Sequence, residues 1–398
     1  MSAPPQVALG EVFEIARGGS PRPIDKFITD DPSGINWIMI GDATEGSKYI
    51  AKTRKRIRPE GAQRSRSVKP GDFLLTNSMS FGKPYIMRTH GCIHDGWLVM
   101  SPRSNQVDAD FFYHLLGSRP IYAEFERRAS GATVKNLNID LVRGVTVPLP
   151  PLAEQRRIAA ILDKADALRA KRREALAQLD RLTQSIFIEM FGDPSDKTPR
   201  FATHPLEELV EGGFQNGAYF PKESYAEDGV EMVHMSDAFG GVIKRGGLKR
   251  VRCSSSELEK YRLTEDDLII ARRSLTYDGA ARPCMVPKST EPLIFESSFI
   301  RVRSDKERFT TQFLFRYLND NRVREKFVRP YVTQSTISGI NQSNLSKVPL
   351  VVPPLTLQNE FSIRIEAIET NARKQCESAA ELDSLFASLQ HRAFRGEL

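Results

Sequence analysis

Between Lys48 and Lys69 the chain carries nine bases against one acid. Lys48, Lys52, Arg54, Lys55, Arg56, Arg58, Arg64, Arg66 and Lys69 face only Glu60. A second run, Lys244, Arg245, Lys249, Arg250 and Arg252, echoes the first, with "KRVR" at 249–252 answering "KRIR" at 55–58. Clusters of this kind neutralise phosphates and release counterions, which gives affinity without sequence information. A merely solvated charged face is the alternative, and the echo argues against it. The net charge of +7 points the same way, toward a polyanionic partner.

Reading a base sequence needs other groups: arginine for guanine, asparagine or glutamine for adenine. Candidates lie in polar turns that follow strand-like runs. "TNSMSFGKP" offers Asn77, Ser78, Ser80 and Lys83, and "ARRSLTYDG" offers Arg272, Arg273, Ser274 and Tyr277. The Ser/Thr-rich stretches "SGATVKN", with Lys135, and "TQSTISGINQ", with Thr336, join them. Such loops can equally be ordinary turns. His90, Cys92 and His94 alternate and would share one face of a strand. A zinc site would want a fourth ligand and a recognisable partner pair, so they read as structural or DNA-proximal residues. Trp37 and Trp97 read as core.

Several chemistries lack their motifs. The sequence contains no GxxxxGK[ST] phosphate loop, no HExxH and no [DNS]PP[YFW] tetrapeptide. No carboxylate–lysine nuclease cluster stands out. The four cysteines are scattered without a CxxC pair, as expected in a reducing cytoplasm. The N-terminus "MSAPPQVALG" has no signal-like apolar stretch, and no apolar run approaches the ~18–20 residues of a membrane span. At 398 residues, 40% hydrophobic and 27% charged, the chain has room for two or three globular units.

The elements that must position these residues are written twice. A shift of 203 residues lays Pro150, Pro151, Leu152 and Gln155 on Pro353, Pro354, Leu355 and Gln358. Thr133, Leu137 and Asn138 then meet Thr336, Ile340 and Asn341. With small shifts, Asp42 matches Asp237, "VKPGDFLLTNS" matches "LTEDDLIIARRS", and "DADFFYHLLGS" matches "TTQFLFRYLND". A period this long is no solenoid. It describes two copies of one unit, a mixed domain of ~150 residues followed by a long helix.

The runs "NWIMI", "DFLLT", "DLIIA" and "SFIRVR" predict strands, and "ADFFYHLLGS" and "TQFLFRYLND" predict short helices. Each unit is therefore α+β, with a curled, mostly antiparallel sheet. After each proline gate, apolar residues recur in three- and four-residue steps, which is a coiled-coil seam. The first seam reads Ile158, Ile161, Ala165, Leu168, Ala175, Leu179, Leu182 and Ile186, flanked by Leu162 and Leu176. The second reads Phe361, Ile365, Ile368, Ala372, Ala379, Leu382, Phe386 and Leu389. Both turn polar mid-way, at Arg172 and Gln375. If the helices pair antiparallel, those polar midpoints meet. Each helix of ~39 residues would span roughly 58 Å, a rod with a globular unit near each end.

These residues together resemble the specificity (S) subunits of Type I restriction–modification systems. The carriers are "GGSPRP" (18–23, with Arg22), "INWIMIGD" (35–42), the gate "VPLPPLAEQRRIAAILDKAD" and the ending "AFRGEL". The second unit departs, opening with "FQNGAYFPKESY" in place of a GxTP-like motif. The resemblance implies two tandem pseudo-symmetric target-recognition domains, 1–150 and 193–353, each reading half of a split asymmetric DNA site. Two long antiparallel coiled-coil helices, 151–192 and 354–398, would join them as spacers. It further implies two methyltransferase (M) subunits docked on the helices, through outward residues such as Arg156, Lys164 and Lys171, and restriction (R) subunits beyond them. On this reading the chain is a non-catalytic cytoplasmic protein with no cofactor or metal of its own. AdoMet, ATP and Mg²⁺ belong to the partner subunits, and no membrane is involved. The rival classes are a nuclease or methyltransferase with a divergent site, and a coiled-coil scaffold that binds DNA without regard to sequence.

Overall fold

Two proline gates set the frame. In the computed structural model, the backbone leaves each gate as one unbroken helix, Leu152–Phe191 and Leu355–Arg395, of 40 and 41 residues. The structure describes the whole chain except residues 1–3, 44–45, 78–80, 130–136, 194–195, 197, 239–240 and 335. It divides into two compact units, residues 1–174 with 375–398, and residues 175–374. Each unit therefore contains one globular region, half of the helix that follows it and half of the other long helix.

In the first unit two five-stranded sheets carry the globular region. One orders the strands Phe13–Arg17, Trp97–Pro102, Phe73–Thr76, Pro84–Met87 and Tyr49–Ile50. The other orders Ile28–Thr29, Lys55–Ile57, Ile35–Ile38, Gly91–Ile93 and Arg66–Val68. Pairing is antiparallel except for Gly91–Ile93 on Ile35–Ile38 and Tyr49–Ile50 on Pro84–Met87. The second unit repeats the plan with a four-stranded sheet around Asp267–Ala271 and Phe299–Arg303, and a three-stranded one. There too one pair is parallel, Tyr225–Val233 on Leu293–Phe295. The expected single curled sheet is instead several sheets in each unit, two of them larger, and the 3-10 turns Ile40–Asp42 and Met235–Asp237 follow the strands Ile35–Ile38 and Tyr225–Val233. Asp42 and Asp237 cap those turns alike, each accepting the backbone N–H three residues back at 2.9 Å.

The gate works through one buried amide. Gln155 accepts from Asp108 N–H (2.9 Å) and donates to the carbonyls of Gln106 (2.9 Å) and Pro150 (2.8 Å). Gln358 does the same with Thr310 N–H (2.9 Å), Arg308 (2.8 Å) and Pro353 (2.8 Å). Asp108 and Thr310 are themselves the N-caps of the short helices Ala109–Leu116 and Thr311–Asn319. One side chain thus fixes the start of a long helix against the start of a short one, in both units. Both amides are buried, so no water competes for these bonds.

The seams are heptad rows, though not quite those the sequence suggests. In the first helix the inward rows are Ile158, Ala165, Arg172, Leu179, Ile186 and Leu162, Arg169, Leu176, Thr183, Met190. Leu168 and Leu182, expected in the seam, are 50% and 46% exposed. The row through Ile158, Ala165, Leu179 and Ile186 is as expected, but the other row lies one residue later, so Arg169 takes an inward place instead. Its stem and guanidinium cover Phe386 (4.3 Å to the ring centroid), and it binds Asp383 at 2.5 Å. In the second helix the rows run Phe361, Ile368, Gln375, Leu382, Leu389 and Ile365, Ala372, Ala379, Phe386, Ala393. Within the first unit Arg172 donates to Gln375, so the polar midpoints do meet. Within the second, Phe187 and Phe191 pack edge-on against Phe361. The helix halves run antiparallel in each unit.

Candidate nucleic-acid interface

The two "KR-R" runs fall on equivalent strands. Lys55–Ile57 pairs antiparallel with Ile35–Ile38, and Arg250–Val251 with Tyr225–Val233. Strand geometry sends successive side chains to opposite faces, so Ile57 is buried between half-buried Arg56 and exposed Arg58, as Val251 is between Arg250 and Arg252. Their surroundings differ. In the first run Lys48 is paired with Asp110 (2.6 Å) and Asp163 (2.8 Å), and Arg54 with Asp42 (3.5 Å). Among the described residues no other base of that run forms a salt bridge, although the Ser33 hydrogen bonds, helped by Arg56, hold the Asp31 carboxyl below its ordinary range. Arg56 donates to the backbone carbonyls of Pro32 and Gly34 (3.2 Å), which fixes it without cancelling its charge. Lys52, Lys55, Arg58, Arg66 and Lys69 are exposed, as are Arg22 and Lys83 elsewhere in the unit.

In the second run three of five bases are already neutralised. Arg252 makes a bidentate pair with Asp228, 2.9 Å on each arm. Arg245 and Arg250 both bind Glu231, which is buried, and Glu291. The hydrogen bond from Arg250 holds the Glu291 carboxyl below its ordinary range, and Arg252 does the same to Asp228. Arg245 and Arg250, expected on phosphates, therefore serve first as a brace. Lys244 and Lys249 stay exposed.

The polar turns also come together. The strand Arg273–Ser274 pairs with Ser338–Gly339, so "ARRSLTYDG" and "TQSTISGINQ" form one two-stranded ribbon. Ile340 N–H donates to Arg272 O at 3.0 Å, and in the first unit Leu137 N–H donates to Asn77 O at 2.9 Å. The same two loops thus meet in both units. Ser78, Ser80, Thr133 and Lys135 lie outside the described residues. Three expected readers are not surface groups. Asn77 is 1% exposed and donates to Asp95 O, closing its turn. Ser274 is 5% exposed and accepts from Thr276 N–H. The Tyr277 hydroxyl donates to Arg329 O under that arginine's guanidinium. Short polar side chains after strands form turns as readily as contacts, and here the turn wins. Arg272 is half-buried, while Arg273 and Thr336 are exposed.

A residue the sequence did not single out, Arg324, fixes the loop after the strand Arg273–Ser274 from beneath. It is 2% exposed and donates to the carbonyls of Asp278, Ala280, Ala281 and Leu318 at 2.8–3.3 Å. Burial pushes it down to about 10. Ala281 sits at φ +58°, a conformation that side chains resist, and Arg324 secures its carbonyl. Only the burial of one arginine among several in "NRVREKFVR" distinguishes it, and sequence alone does not show burial.

The opening motifs prove equivalent as well. Gly18 N–H donates to Trp97 O and Gly217 N–H to Phe299 O, and at either glycine a Cβ would lie near 2.1–2.2 Å from a backbone oxygen. "NGAYFP" therefore keeps the glycine of "GGSPRP" and replaces the residues after it. Cys92 is buried beside Trp37 and Ile57, and burial pushes its thiol up. The His94 Nδ1 accepts from Gly96 N–H and closes the turn there. Trp97 is buried too.

Residues 6–179 match the family model described as "Type I restriction modification DNA specificity domain". Curated proteins similar to this chain over most of its length are named as specificity subunits of Type I restriction enzymes. It is 24% identical over 73% of its length to the StySPI specificity subunit of Salmonella potsdam, and 25% identical over 73% to the EcoKI specificity subunit of Escherichia coli K12. These matches span 66% of each relative's own length, just under two thirds. The EcoBI specificity subunit of Escherichia coli is 23% identical over 92% of this chain and 80% of its own. Among solved structures, a chain from a study of "complex assembly" of "the type I R-M system" superposes with a TM-score of 0.59, at 19% identity, covering 100% of both chains. The S subunit of M. genitalium gives 0.50 at 13% identity, covering 98% and 96%. No helix among the described residues is long and apolar enough to cross a membrane.

Proposed function

We propose that this chain is the DNA sequence-specificity subunit of a Type I restriction–modification complex, non-catalytic in itself. Each unit reads one half of a bipartite, asymmetric duplex target. The observation that carries this reading is the repeated pairing of two polar loops in units that each bear a "KR-R" strand. In this division of labour the exposed bases hold phosphates and fix register, while Arg272, Arg273 and the ribbon around them meet base edges. The long helices dock two M subunits, and through them R subunits. Their outward faces support this: Arg156, Lys164 and Lys171 are exposed beside Leu168 at 50%. AdoMet, ATP and Mg²⁺ would serve those partners, in the cytoplasm. The target adenine would be flipped into M and not into this chain.

Selection of bound duplexes from a random pool by the chain in complex with its M subunit tests the reading. A split motif with an unspecified spacer is expected. Enrichment without any motif would favour a sequence-blind scaffold. Methylation or cleavage by the chain alone, given AdoMet and Mg²⁺, would favour the enzymatic alternative. Reversing charge at Arg156, Lys164 and Lys171 together should lower co-purification of M while the chain still folds, and full recovery of M would contradict the docking face.

A further inference from the structure

The ribbon of the second unit ends in two aliphatic side chains that solvent should not favour. Leu275 is 85% exposed and Ile337 51%, among the most exposed large apolar residues described. The ribbon pairs Arg273 with Gly339 and Ser274 with Ser338. Leu275 and Ile337 are the next residues outward on the two strands. Ser274 and Ser338 turn inward and are buried, so period-two alternation puts Arg273, Leu275 and Ile337 on the outward face together. Arg273 and Ile337 in fact line one shallow concavity of about 280 Å³ with Thr333 and Asn341.

The tip is held, not loose. Thr276 N–H binds Ser274 Oγ (3.1 Å), Gly279 N–H binds Thr276 Oγ1 (3.2 Å), and the Tyr277 hydroxyl is tied to Arg329 O (3.0 Å). A Cβ on Gly279 would strike Ser274 Oγ at 2.2 Å, and one on Gly339 would meet Arg272 O at 2.8 Å. Arg324 anchors the following residues from below. A preorganised ribbon that presents leucine and isoleucine beside arginines fits a negatively charged partner with apolar groups in a groove. The DNA major groove is such a partner. It admits a two-stranded ribbon, and its apolar feature is the thymine 5-methyl group.

We propose that Leu275 and Ile337 form an apolar reading edge that selects thymine by its methyl group, beside the arginines that read or steer the same half-site. This inference rests on the proposed DNA-reading function. It adds a specificity that polar residues alone do not supply, because uracil and thymine present identical hydrogen-bonding groups.

The probe is the selected target duplex, with each thymine replaced singly by deoxyuridine, titrated with the chain–M complex. At one or more thymines of a single half-site, loss of the methyl should weaken wild-type binding about four-fold, the worth of one buried methyl-sized group. Leu275→Ala should weaken binding to the all-thymine duplex similarly, and Ile337→Ala gives a second, independent variant. At the contacted position, a variant should no longer distinguish uracil from thymine. Wild-type binding indifferent to every uracil, with the motif intact, would overturn the inference and leave the DNA-reading function standing. So would variant and uracil effects that simply multiply. Absence of any motif in the selection would instead overturn the function, and this inference with it.

Discussion

The two units share a backbone plan and differ in how their charges are held. In the first, Lys52, Lys55 and Arg58 stand exposed on and around the strand Lys55–Ile57. In the second, the matching strand is braced by Asp228, Glu231 and Glu291. The contrast recurs where the short helices meet the long ones. Six residues after their N-caps, the first unit has His114 and the second Arg316. His114 reaches Asp163 at 2.6 Å, and Arg316 grips Glu369. A duplicated fold has therefore kept its connections and redistributed its charges. The first unit keeps more exposed bases without a carboxylate partner, and the second keeps fewer but presents a braced two-stranded ribbon.

The strongest way to break the comparison is to attack what the units share. Gln155→Ala and Gln358→Ala each orphan one buried N–H and two carbonyls, so each should cost about 2–4 kcal/mol of stability. Denaturant melts of both variants check this. A large loss in one and none in the other would mean the gates are not equivalent.

Charge redistribution gives the next effect. Replacing Lys52, Lys55 and Arg58 by Ala should weaken binding to all duplexes and lower the log–log salt slope by about 2.7, at ~0.9 per lost phosphate contact. A triple change in the second run, at Lys249, Arg250 and Arg252, should lower it by less than about 1, since two of those three already face carboxylates. Equal slopes would erase the distinction between the units.

A smaller effect concerns pH. Burial pushes His114 below its ordinary 6.5, although Asp163 pulls the other way. The unfolded chain then binds more protons than the folded one as pH falls through 6.5, so stability declines on acidification. Burial raises Asp163, but the hydrogen bonds from Lys48 and His114 outweigh it and leave its carboxyl low, so a further loss occurs near and below 3.8. Melting temperature against pH should fall below 6.5 in the wild type and flatten there in His114→Gln. Arg316→Gln, the equivalent change in the second unit, should leave the pH dependence intact. An unchanged profile in His114→Gln would move the titration elsewhere.

Periodic and covalently constrained features were legible in the sequence. The duplication, the strands Phe73–Thr76 and Asp267–Ala271, the long helices and the meeting of Arg172 with Gln375 all came from spacing. One row of the seam slipped by one residue because Leu168 and Leu182 look apolar, whereas Arg169 can bury its stem over Phe386 and still pair its head with Asp383. Site residues were harder for the same reason. Asn77 and Ser274 have the right chemistry to read a base, but their hydrogen bonds close turns instead. Glu231, Glu291 and Arg324 are far in sequence from the groups they hold, so only the fold reveals them.

The central claim is that each unit reads its own half-site. Arg273→Ala, an exposed change on the second unit's ribbon, tests it most directly when random duplexes are selected by the variant and wild-type complexes side by side. The account predicts one half of the split motif unchanged and the other relaxed by ~1–3 kcal/mol at one position. Equal degradation of both halves, or a motif identical to the wild type's, would contradict it.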